Sequence, residues 1–179
     1  MNKTICVFCS ASDVAKEYVD AATDLGTRMV QKGFDLVWGG SNTGIMKVVA
    51  DSVQGAGGKL IGISVTYFHH LARPHADEMI VTKDLSERKK MLLDRGDAIV
   101  LLVGGVGSLD EIAEIVELKK QNVHNKPVVV INTNGFYDNF RAQLQKMYAE
   151  GFINRPIDDL INFVSNPEEA VSYIKSILK

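Results

Sequence analysis

From end to end the chain alternates short apolar runs of strand length with longer stretches of helical periodicity, and this restricts the fold more than any other feature. Strand-like runs lie at Thr4 to Cys9, Asp35 to Trp38, Leu60 to Ser64, Ala98 to Val103 and Val128 to Asn132, with a weaker one at Met79 to Thr82. Helical spacing fills the gaps at Asp13 to Gln31, Thr43 to Gln54, Asp84 to Asp94, Ser108 to Gln121 and Phe136 to Glu150, and Asn166-Pro167 opens a last helix. In the first helix Ala15, Tyr18, Val19, Ala22, Leu25, Met29 and Val30 share one face, and Lys32-Gly33 supplies a C-terminal stop. Nearly continuous apolar strands need cover on both faces, which implies a parallel sheet. Right-handed crossovers then make the fold α/β, doubly wound and Rossmann-like, with helices on both faces. The 179 residues suit a single domain spanning residues 1 to 179.

In such folds ligands bind beyond the carboxyl ends of the strands, and two glycine turns fall there. One is Val103-Gly104-Gly105-Val106-Gly107-Ser108-Leu109-Asp110-Glu111, between a buried strand and a helix with Leu109, Ile112, Ala113 and Val116 at helical spacing. Unpaired N–H groups, the positive end of the helix dipole and missing side chains make such a turn a seat for a phosphorylated ligand. The same residues also fit a capping box, Ser108-x-x-Glu111, in which Glu111 merely satisfies the Ser108 N–H. The second turn, Gly39-Gly40-Ser41-Asn42-Thr43-Gly44, repeats the architecture after Asp35 to Trp38. Neither a Walker A loop nor a G-x-G-x-x-G fingerprint is present, which weakens nucleoside triphosphate and dinucleotide readings.

Composition removes several other classes. A net charge of −2 gives no basic footprint, so no nucleic-acid partner is expected. No apolar run approaches membrane-spanning length, and Met1-Asn2-Lys3 enters a strand without a signal-peptide pattern, so no membrane and a cytoplasmic location are expected. Cys6 and Cys9 form a C-x-x-C inside the first strand rather than at a helix start, and read as reduced core residues. Thr66 to Glu78 loses the apolar pattern and is expected to be flexible. Its His69, His70 and His75 lack the spacing and the Cys or Glu companions of a metal set, so they read as rim residues. On the helix Asp84 to Asp94, Arg88 offers paired donors to a phosphate, whereas Lys90 reads as part of a solvated face.

Arg88-Lys89, followed by Val103-Gly104-Gly105-x-Gly107-Ser108-x-x-Glu111, resembles the paired M-x-x-R-K and P-G-G-x-G-T-x-x-E motifs of the Lonely Guy family, cytokinin riboside 5′-monophosphate phosphoribohydrolases. The resemblance covers nearly the whole chain, through Ile5 to Cys9, Gly33 to Met46, Gly57 to Gly62, Lys126 to Val129, Gly135 to Tyr137 and Glu150 to Phe152. The chain departs from the motifs at Leu85, Val103 and Ser108, at Ser10-Ala11-Ser12, at Ser41 and Lys47, and at Val65, where the family usually has proline. Lys47 and Val65 bear on the phosphate region or the base pocket.

The resemblance implies hydrolysis of the N-glycosidic bond of AMP or an N6-modified nucleoside 5′-monophosphate, releasing base and ribose 5-phosphate. It implies Glu111 and Arg88 as the catalytic pair. Glu111 would stabilise charge developing on the sugar, while Arg88 would bind phosphate or assist the leaving group. Gly104, Gly105, Gly107 and Ser108 would receive the phosphate, Gly39, Gly40 and Gly44 would form a second backbone surface, and Lys89 would contact substrate. Asp110, rotated by about 100° from Glu111, would face elsewhere. No metal or redox cofactor is required, and a homodimer or larger homo-oligomer is implied. The alternative is a non-catalytic nucleotide or molybdopterin-cofactor carrier. A lysine decarboxylase, a label that family members often carry, would need a pyridoxal-phosphate lysine in a much larger architecture.

Overall fold

Period-two alternation sorts the side chains of the first strand, β1 (Lys3–Phe8), between two cores: Ile5 and Val7 face one, Cys6 and Phe8 the other. Residues 2–178 are described by the computed structural model. Six further strands join β1 in one sheet: β2 (Phe34–Trp38), β3 (Leu60–Val65), β4 (Glu78–Thr82), β5 (Ala98–Leu101), β6 (Val128–Ile131) and β7 (Asn162–Val164). Their order is β4-β3-β2-β1-β5-β6-β7, and every neighbouring pair is parallel. Helices α1 (Lys16–Gln31), α2 (Gly44–Gly55) and α7 (Pro167–Ile177) cover the first core, while α3 (Leu85–Arg95), α4 (Val106–Lys120), α5 (Asp138–Ala149) and α6 (Ile157–Leu160) cover the second.

Both cores are dry. Leu25, Met29, Leu36 and Trp38 are fully buried on one side, as are Ile63, Leu92, Ile99 and Leu101 on the other. Each such side chain contributes about 1.5–3 kcal/mol relative to exposure. The Trp38 indole keeps its polar atom satisfied by donating to the Ser41 carbonyl at 3.3 Å. Among the described residues no helix is long and apolar enough to cross a membrane.

The doubly wound parallel sheet agrees with the sequence expectation, and the departures are local. β7 and the one-turn α6 were not anticipated, because three or four residues are too few for either period to register. α1 begins at Lys16 rather than Asp13, since the chain from Ser10 to Ala15 first crosses the top of the sheet, where the Ser10 carbonyl accepts from Met46 N. The β5 ladder ends at Leu101, two residues short of the expected Val103, although Leu102 and Val103 remain buried and bond across to Phe8 and Ser10. Thr66–Leu71, expected as flexible loop, is a 3₁₀ turn.

The strand order reverses at β1, with β2 on one side and β5 on the other. A crevice therefore opens beyond the carboxyl ends of β1 and β5, where the loops diverge to opposite faces.

Candidate active site

That crevice holds a cavity of about 410 Å³, within the size range of small-molecule sites. Its floor is Cys9 to Ala11 after β1, its far wall is Gly39 and Ser41 after β2 with Met46 of α2, and its near wall is the first two turns of α4.

α4 starts earlier than its sequence suggests, with Gly105 as N-cap and Val106 as the first helical residue. Gly105 has no side chain and no side-chain cap is made, so the first-turn N–H groups lack partners within the helix. Gly105, Gly107 and Ser108 all line the cavity. A fifteen-residue helix thus aims its positive end at the space an anion would fill. The capping box expected from Ser108-x-x-Glu111 does not form, because Ser108 already lies inside the helix. True caps of that type occur elsewhere, where Asp84 and Asn166 accept from the N–H groups of Glu87 and Glu169.

Glu111 is turned toward the cavity instead, and Arg88 of α3 meets it. The Arg88 Nη1 donates to Glu111 Oε1 at 2.8 Å, and its Nε donates to the Ile63 carbonyl of β3 at 2.9 Å. The two side chains are 11% and 9% exposed. Burial raises the Glu111 carboxyl above its ordinary value, and the neighbouring guanidinium opposes that rise. A desolvated carboxylate with one oxygen committed to arginine therefore borders the space beside the anion seat.

The remaining wall comes from Val65, Phe68 and Leu71 with Leu85 of α3. Phe68 and Leu71 belong to the 3₁₀ turn, whose C-terminal end is bonded to the loop after β2. Asn42 N donates to the Leu71 carbonyl at 2.8 Å, Arg73 N donates to the Gly40 carbonyl at 2.8 Å, and Ser41 bridges Ala72. Arg73 adds side-chain bonds to Asn42 and Gln54 and an ion pair with Asp51. These rim contacts are not legible in sequence, because the partners lie between 19 and 33 residues apart with no motif joining them.

Most of the expected site residues converge: Arg88, Glu111, Gly39, Lys89, Gly105, Gly107 and Ser108 all border the cavity. Three glycines play a different part. Gly40 (φ +76°) and Gly44 (φ +52°) adopt left-handed backbone, Gly44 packed against the Ala11 and Ser12 backbone, and Gly104 packs against the Ser108 side chain. None of the three lines the cavity. Lys89 is occupied: its ammonium pairs with Asp110 at 3.0 Å and Glu114 at 2.5 Å, and those bonds raise its pKa, Glu114 first. Lys47 turns away to Asp51, so this departure from the motif lies outside the cavity wall, whereas Val65 lies on it. Cys6 and Cys9 are buried free thiols, and burial pushes both well up in pKa. Tyr137, which no motif marks as a site residue, donates its hydroxyl to the Leu102 carbonyl beneath the site at 2.9 Å.

A family profile described as "possible lysine decarboxylase" matches residues 46–174. The chain is 33% identical over 170 residues to a cytokinin riboside 5′-monophosphate phosphoribohydrolase of Mycobacterium tuberculosis, covering 94% of this chain and 91% of that protein. It is 37% identical over 169 residues to a probable cytokinin riboside 5′-monophosphate phosphoribohydrolase of Oryza sativa, covering 93% and 74%. Among solved structures, the molybdenum cofactor binding protein of Rippkaea orientalis superimposes with a TM-score of 0.78 at 23% identity, over 100% of this chain and 99% of that one. The last likeness is one of fold.

Proposed function

The chain belongs to the Lonely Guy family of cytokinin riboside 5′-monophosphate phosphoribohydrolases, and from that premise we propose that it hydrolyses the N-glycosidic bond of AMP or an N6-modified nucleoside 5′-monophosphate. The products are the free base and ribose 5-phosphate. The observation that carries this reading is the Glu111 carboxylate, buried, held by Arg88 and facing the cavity on the same helix whose N-terminus forms the anion seat.

In this reading the phosphate sits on the first-turn amides of α4 at Gly105, Gly107 and Ser108. Glu111 lies six residues beyond the N-cap, about 9 Å along the helix axis, which sets it beside the sugar rather than the phosphate. As the bond to the base weakens, positive charge develops on the ribose, and a fixed carboxylate stabilises that state more than the ground state. The same group can hold a ribose hydroxyl or orient the attacking water. Arg88 keeps the carboxylate ionised and aimed, and it is the nearby cation for the phosphate or the departing base. The apolar wall of Val65, Phe68, Leu71 and Leu85 suits a flat base and its substituent. The reading includes a homodimer.

The carrier alternative is weaker, because the relatives at 33% and 37% identity carry phosphoribohydrolase names, whereas the carrier neighbour shares the fold at 23% identity. A pyridoxal-phosphate decarboxylase does not fit either. The lysine on the cavity wall, Lys89, is held as an ammonium between two carboxylates, whereas an imine-forming lysine must shed its proton.

Chromatography of the purified protein with AMP, N6-isopentenyl-AMP and the matching nucleosides tests the reading. Base is expected from the monophosphates and far more slowly from the nucleosides, because the phosphate supplies positioning. Glu111→Gln is expected to lower turnover by about 10²–10³-fold with the fold intact. Normal turnover by that variant would remove Glu111 from the chemistry.

A further inference from the structure

Arg88 reaches Ile63 and Glu111 together because one residue beside it lacks a side chain. A Cβ built on Gly39 would overlap Arg88 Nη2, and Met46 lies 3.2 Å away on the same side. The guanidinium is therefore laid against the Gly39 α-carbon. Its Nε is bonded to β3, its Nη1 to α4, and its third nitrogen fills the volume a side chain at residue 39 would take.

Backbone conformation does not explain this glycine. Gly40 and Gly44 have positive φ, but Gly39 does not, so alanine is conformationally acceptable there. The three nearest atoms that a methyl group would meet are the tips of two flexible side chains, Arg88 and Met46. The fold can absorb the change, and the arginine is what must move.

We propose that Gly39 is a positioning residue: its missing side chain is the berth that holds the Arg88 guanidinium against Glu111, rather than a backbone surface for the nucleotide. The berth itself needs no assumption about the reaction, while its effect on turnover rests on the phosphoribohydrolase reading above.

The test is a double-mutant cycle of Gly39→Ala and Arg88→Ala, read by urea unfolding and by release of base from the monophosphate. Gly39→Ala alone should lower kcat by about 100-fold, the loss expected when a reacting group is misplaced by about 1 Å. In the Arg88→Ala background it should cost less than about twofold further. The urea midpoint should fall with Gly39→Ala in the parent protein and stay unchanged when Arg88 is already alanine. The acid limb of the kcat/KM profile should move to higher pH in Gly39→Ala, because Glu111 loses the cation that restrains its protonation. Equal losses in both backgrounds, in turnover and in midpoint, would overturn the proposal by showing that Gly39 acts on something other than Arg88. If the parent protein releases no base from any monophosphate, the hydrolase reading fails, and the midpoints still decide the berth.

Discussion

Arg88→Met should destabilise the protein strongly at neutral pH and much less in acid. With both partners present, a buried ion pair roughly breaks even against its desolvation, but removing one partner strands the other and costs about 3–5 kcal/mol. Arg88 and Glu111 qualify, being 11% and 9% exposed. For a chain of this size that loss lowers Tm by roughly 6–20 °C. Protonation sets how much of it is felt. Burial already places the Glu111 carboxyl above its ordinary value of 4.5, and Arg88 pulls it back, so methionine lets the folded-state pKa rise further. A carboxyl whose folded pKa exceeds its unfolded one binds more protons in the folded state. Its contribution is fully present below the unfolded pKa and is lost as pH rises through the folded pKa, by at most about 1.36 kcal/mol per pH unit. In the variant that loss continues to higher pH than in the parent, so the gap between them widens with pH. Urea unfolding of both proteins at about pH 5 and about pH 8 measures the gap directly. An equal gap at both values would refute the claim that Glu111 is the stranded group. Arg88→Met with Glu111→Leu should recover most of the loss, because apolar replacement of a whole buried pair is neutral or stabilising.

Asp84→Ala should cost about 1 kcal/mol by urea unfolding, since its carboxylate accepts from Glu87 N at 2.9 Å as the cap of α3. Ser108→Ala should cost less than about half of that, because Ser108 caps nothing; comparable losses would restore it to the N-cap. Cys6 and Cys9, 0% and 2% exposed with thiols held protonated by burial, should react with a thiol-specific disulfide reagent only after unfolding. Rapid reaction in the native state would show that the floor of the cavity opens.

The inner strands were legible because they are buried on both faces, so Val37, Ile99 and Val129 each sit in an apolar run that no helix period fits. The two glycine turns were legible for the same local reason, each being a strand, a bend and a helix start in continuous sequence. What sequence could not separate was the purpose of each glycine. Gly40 and Gly44 serve backbone conformation, Gly104 serves close packing, Gly105 ends a cap, and Gly39 yields its volume to an arginine from another helix. Those assignments depend on neighbours distant in the chain. Glu111 shows the same limit: its spacing from Ser108 fits a cap, and only the arrival of Arg88 from α3 shows that it has another partner. Lys89 was assigned to substrate by its place in a motif, yet Asp110 and Glu114 occupy it, an arrangement that requires knowing which faces of α3 and α4 are turned to each other.

The strand order explains why those faces meet. The chain winds outward from β1 to the edge strand β4, then crosses back over three strands to place β5 on the other side of β1. α3 makes that crossing and packs on β4, β3, β2 and β1 as it goes, which carries Arg88 above the carboxyl ends of β2 and β3, within reach of Gly39 and Ile63. α4 follows β5 directly and presents Glu111 from the other side of the reversal. Adjacent residues on α3 then engage neighbouring residues on α4: Arg88 pairs with Glu111, and Lys89 with Asp110 and Glu114, and of these only Glu114 does not line the cavity. The Lys89 clamp is partly solvated and worth little by itself, but it spans the same two helices as the buried pair and limits how far they can separate. The proposed reaction needs the Glu111 carboxylate desolvated and still ionised. A long crossover that delivers one cation to the cavity and a second to the helix seam meets both conditions without adding a residue to the floor.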